Sequence, residues 1–120
     1  MSKRVWTLWV IPATIAHVLD VVTTYIGLSM GFYESNPFIR SLIEQRGLGM
    51  GLLMFLGFRF LIIALGVLLC WTAQYAREIF PGIFGRIISL MIYIGLACDL
   101  IIGYWAVANN LILLAAALAP

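Results

Sequence analysis

Charge is what this sequence has least of. Its 120 residues include seven Lys or Arg, five Asp or Glu and one His. Charged residues are 10 % of the chain, against about 25 % in a soluble domain. That scarcity excludes a disordered chain, which stays solvated through charge and polarity. It also excludes a nucleic-acid binder, which needs a dense basic surface to displace counterions. A net charge of +2 is too weak to steer partners. Cysteine is scarce as well: Cys70 and Cys98 stand alone, near the end of one apolar run and the middle of another. They predict two small core residues rather than a disulfide. No G-x-S-x-G, H-E-x-x-H, phosphate-cradling Gly loop or aspartyl-protease pair occurs. Nucleotide, haem and flavin motifs are missing too, so no cofactor is expected.

What fills the chain is hydrocarbon. Hydrophobic residues make up 64 %, against about 45–50 % in a soluble domain, and a chain this short cannot bury the excess. The sequence therefore predicts a single all-α domain, an integral membrane helical bundle whose first partner is the lipid bilayer. Three stretches are long enough to cross about 30 Å of hydrocarbon: residues 5–30, 50–73 and 87–108. The last apolar run, 111–119, is too short to span. It reads as an extension of the third span or an interfacial segment, with a partial fourth span and a break at Asn109 and Asn110 as the alternative. Lys3 and Arg4 ahead of an apolar run resemble a secretory signal, but no A-x-A site follows, so an uncleaved span is expected.

Flanking charge sets the expected orientation. Lys3, Arg4, Arg77 and Arg86 lie on one side, and Arg40 and Arg46 on the other. The excess places the amino terminus in the cytoplasm of a multi-pass cell-membrane protein. Trp6, Trp9, Trp71 and Tyr75 form the expected inner aromatic belt, and Phe32, Tyr33, Tyr104 and Trp105 the outer one. Between the first two spans, Gly31 suits a helix terminus, Asn36 an N-cap and Pro37 a first helical residue. Residues 36–46 alternate apolar and polar at helical spacing, the pattern of an amphipathic helix on the membrane surface. Pro81 and Gly82 mark the second turn.

The informative residues are those that resist hydrocarbon. A charge in mid-span costs roughly 2.5–3.5 kcal/mol on insertion scales, so it usually faces a partner or a cavity. Asp20, Arg59 and Asp99 each fall about 14–15 Å below the outer boundary of their span, which predicts one layer with Arg59 bridging the two carboxylates. Their sum of −1 calls for a proton, a protonated His17 or a bound cation. Ala13, His17, Asp20 and Thr24 share one stripe of the first span, and Gly95, Asp99, Gly103 and Ala106 one face of the third. Pro12 frees a carbonyl near the first stripe. Gly27 with Gly31, and Gly47 with Gly51, are G-x3-G pairs that permit close helix approach and point to a homo-oligomer.

Asp20 and Thr24, followed by Gly31, Glu34, Asn36 and Pro37, spell D-x3-T … G-x2-E-x-N-P. The pattern resembles the signature of a family of small prokaryotic multi-span membrane proteins grouped as a domain of unknown function. The likeness covers most of residues 15–65. Family members carry Lys in the following span, where Arg59 matches in role. The resemblance implies that Asp20, Thr24, Glu34, Asn36, Pro37 and Arg59 belong to one constellation and brings no activity with it. In such a constellation Glu34 either folds over the mouth and competes with Asp20 for Arg59, or shapes the turn.

Three functional expectations follow from the residues. The first is a small homo-oligomeric membrane protein whose Asp20–Arg59–Asp99 cluster moves or senses a small ion or proton. The second is an accessory subunit of a larger membrane complex, its charges fixing helix register. The third is an intramembrane enzyme or metal site, since paired carboxylates can do acid–base work and His17 and Asp20 have ligand spacing at i, i+3. Arg59 would hold both carboxylates ionised and repel a dication, so no catalytic residue and no metal ligand is expected.

Overall fold

A computed structural model describes residues 4–80 and 82–119, with side-chain surroundings from residue 8 onward. Lys3 and Pro81, and the side chains of Arg4 and Trp6, lie outside this description. Among the described residues four helices follow one another: α1 (Arg4–Ser29), α2 (Pro37–Arg46), α3 (Leu48–Ile79) and α4 (Ile83–Leu118). The chain is an all-α bundle in which α1, α3 and α4 are long and apolar enough to cross a membrane. At 1.5 Å per residue α3 and α4 measure about 48 and 54 Å, longer than the hydrocarbon of a bilayer. Both overrun the expected spans of 50–73 and 87–108. The continuation of α4 runs unbroken through Asn109 and Asn110 to Leu118, so residues 111–118 extend the third long helix.

Contacts between helices fix their directions. Trp9 of α1 meets Leu96 of α4, Ala16 meets Gly103, and Thr24 meets Asn110. Residue numbers rise together, so α1 and α4 run parallel. Against α3 they run oppositely: Trp9 meets Gly66 and Asp20 meets Arg59, so α3 is antiparallel to both. Small residues make these approaches possible. Ala13, Ala16, Ala73, Ala76, Gly66, Gly85, Ser89 and Gly103 are all buried, while many large side chains such as Leu53, Leu68, Ile101 and Trp105 point outward. Small inside and large outside inverts the water-soluble pattern and suits packing in lipid, where van der Waals contact rather than water drives association.

The connection after α1 closes in a Schellman motif, with Phe32 N donating to Gly27 O at 3.0 Å and Gly31 N to Leu28 O at 3.1 Å. Gly31 takes φ +89° there, open to glycine at no steric cost. Asn36 Oδ1 accepts from Phe38 N at 3.0 Å, and Pro37 opens α2. This helix does not stand apart from the bundle. Ile43 faces Gly51 and Phe38 meets Phe58 edge-to-face at 5.4 Å, so α2 folds back antiparallel along the first turns of α3. Gly51 is required: a Cβ there would sit 2.8 Å from the Ile43 Cα.

Two apolar clusters result. One gathers Trp9, Ala13, Ile63, Cys70 and Leu96, and the other Val21, Ile39, Leu52 and Phe55. Trp9 is thus a core residue, its indole donating to Leu96 O at 3.0 Å, rather than a member of an aromatic belt. Tyr104, by contrast, stays exposed, with its hydroxyl donating to Pro12 O at 3.2 Å. Both cysteines are free; Cys70 is buried as expected, but Cys98 faces outward and is no core residue.

Candidate functional site

Between the two apolar clusters lies a polar layer. Most of the α1 stripe read from sequence is buried: His17 is 1 % exposed, Asp20 5 %, and Ala13 fully enclosed, while Thr24 is half-buried. From α3, Arg59 reaches Asp20 with NH2 to Oδ2 at 2.8 Å. The guanidinium also lies 4.7 Å from the centre of the Phe55 ring, a cation–π contact that gains strength where water is scarce.

Asp99 takes a different partner. Its Oδ2 lies 3.3 Å from His17 Nε2, in contact but not aligned as a hydrogen bond. The expected bridge of Arg59 between two carboxylates is therefore replaced by two pairs, Asp20–Arg59 and His17–Asp99. Helix geometry is the reason. Gly103 packs directly on Ala16 and His17, and Asp99, one turn earlier on the same face of α4, is carried past His17 rather than to Arg59.

Asn110 completes the Asp20 side. Its Nδ2 donates to Thr23 Oγ1 at 3.1 Å, Thr24 Oγ1 at 3.2 Å and Asp20 Oδ1 at 3.4 Å. Thr23 in turn donates to Leu19 O at 2.8 Å. Thr23 was not singled out in the sequence and Asn110 was read only as a break in the helix, although Asn110 lies seven residues beyond Gly103 and so on the face of α4 that meets α1.

Above this network opens a small polar pocket of about 90 Å³, whose lining includes Thr23, Thr24, Glu34, Ser35, Asn109 and Asn110. Glu34 Oε1 accepts from Asn36 N at 2.7 Å, so Glu34 shapes the turn while lining the pocket, and it makes no ion pair with Arg59. Gly27 supports the same corner, where a Cβ would press on Phe32 at 3.2 Å. Pro37 starts the helix that holds Asn36 in place. Of the constellation, Thr24 and Glu34 line the pocket, Asn36 holds Glu34, and Asp20 with Arg59 lies beneath. Among the described residues no group of three His, Cys, Asp or Glu side chains converges as metal ligands would.

At the other end, Ser89 Oγ lies 2.8 Å from the carbonyls of Ala73 and Gly85 and accepts from Arg77 Nε at 3.0 Å. This polar clasp locks the α3–α4 hairpin far from the charged layer.

No curated protein and no solved structure matches the chain. A family model does, over residues 11–116, which takes in both helix pairs of the polar layer and the pocket above it. The chain therefore belongs to the family described as a domain of unknown function (DUF5658).

Proposed function

We propose that this is a small membrane-spanning protein that takes up a small monovalent cation in the pocket above the Asp20–Arg59 pair, to sense or move it. The observation that carries this reading is the charge of that pocket. Asp20 is neutralised by Arg59 at 2.8 Å, which leaves Glu34 as the one charged residue lining the cavity. Beside it the lining includes Thr23, Thr24, Ser35, Asn109 and Asn110, residues that carry side-chain oxygens. Hard cations prefer such oxygen donors, and about 90 Å³ leaves room for a partly hydrated ion and a few waters.

Movement of an ion across the bilayer, as distinct from sensing, calls for several copies, because three spans are thin walls for an enclosed path.

Glu34→Gln is the decisive variant, since its carbonyl oxygen can still accept from Asn36 N while the charge is gone. The purified protein is heated in sodium, potassium or choline chloride at equal ionic strength. Wild type should gain thermal stability saturably with one small cation and not with choline, and Glu34→Gln should lose that gain. The same cation should drive flux into protein-bearing vesicles if the protein moves it. Equal stability in all three salts removes this reading and leaves the charges as a staple for helix register.

A further inference from the structure

A second cavity lies away from the Thr and Asn pocket, in the cleft between α3 and α4. It is an open groove of about 500 Å³, and its walls include Trp9, Leu65, Leu69, Met91 and Gly95, with Asp99 the one charged lining residue. Two glycines make it. Gly66 gives its space to the Trp9 ring, and a Cβ on Gly95 would meet nothing within 4 Å, so the α4 wall is open at that turn. Asp99 stands one turn further along the same face. Its side chain is 23 % exposed, whereas its partner His17 is 1 % exposed. One side of the carboxylate thus faces a buried imidazole and the rest is open to an apolar cleft.

We propose that this cleft binds a lipophilic cation: a compact apolar body bearing one positive charge, laid on Trp9, Leu65, Leu69 and Met91 with its charge against Asp99. Charge complementarity selects the ligand. A neutral apolar molecule would leave the carboxylate in hydrocarbon without a counter-charge, and an anion would be repelled. The cation removes that penalty. Depth argues against a phospholipid headgroup: Asp99 stands near the middle of α4, 16 residues after Ile83 and 19 before Leu118, and about 14 Å inside the span read from hydropathy.

The probe is tetraphenylphosphonium, added to the full chain in nanodiscs of zwitterionic lipid and measured above empty nanodiscs. Saturable binding is expected, with neutral triphenylphosphine oxide failing to compete. Asp99→Asn should weaken binding about tenfold or more, the scale for losing a desolvated charge partner. Gly95→Leu tests the cleft by shape alone: its side chain enters open space, so the bundle keeps its packing while the site is filled. Folding of each variant is checked by helix content and elution volume. Binding that is unchanged in folded Gly95→Leu overturns the proposal. So does equal binding of the neutral analogue, which marks a plain hydrocarbon slot. A concentration-dependent dimer dissociated by Gly95→Leu, without cation binding, would give the cleft to a second copy and overturn it too.

Discussion

Asp20 shows how much one carboxylate in the interior must be held. It has Arg59 on one oxygen and Asn110 near the other, and neither partner is a neighbour in sequence. Breaking a buried pair from one side leaves an unpaired charge and costs about 3–5 kcal/mol, while replacing both members by apolar residues is often close to neutral. Asp20→Leu should therefore lower the unfolding midpoint strongly, and the Asp20→Leu/Arg59→Leu double variant should recover most of the loss. Thermal unfolding of the four proteins of this cycle in detergent measures it; a double variant as unstable as the sum of the singles would deny the pairing. Gly66 is critical by shape. A Cβ there would overlap the Trp9 ring, so Gly66→Ala should cost about 1–3 kcal/mol as overpacking and shift Trp9 fluorescence as the indole loses its bond to Leu96 O.

Among the elements, α2 is the one with the least packing of its own, ten residues carrying a single fully buried side chain, Ile39. Its amino terminus relies on Asn36, which accepts from Phe38 N while its own N–H is held by Glu34. Asn36→Ala should remove about 1 kcal/mol of cap stability. Hydrogen exchange of the first-turn amides of α2 should then rise several-fold, with α1, α3 and α4 unchanged. An unchanged exchange rate would mean that packing on α3 alone holds the helix. This element also explains part of what sequence periodicity could say. The cap, the proline and the stop at Gly47 are local chemistry, and they gave the helix its residues. Local chemistry says nothing about what lies opposite, so the fold-back of α2 onto Gly51 and Phe58 was not legible.

For the molecule as a whole, orientation rests on flanking charge. Flanking charge predicts an amino terminus in the cytoplasm, an orientation that would put Glu44 of α2 outside and Glu78, near the α3–α4 turn, inside. Single cysteines at these exposed positions, in a background with Cys70 and Cys98 replaced by Ala, should separate under a membrane-impermeant maleimide. Glu44→Cys should react in intact cells and Glu78→Cys only after permeabilisation; the reverse pattern would turn the topology over.

Composition and period alone determined that the chain is all helix, that three helices are long and apolar enough to span, and that His17, Asp20 and Thr24 share one face. Those are consequences of hydrophobic content and of 3.6 residues per turn, both of which are properties of the chain before it packs. Only the tertiary structure decided how the charges pair. Boundaries read from hydropathy place three residues at one depth, but depth along an axis does not specify rotation about it or the crossing of one helix by another. The close seat of Gly103 on Ala16 and His17 set α4 so that Asp99 met His17 and Asn110 met Asp20. It was the packing of small residues, not the charges themselves, that divided the layer in two.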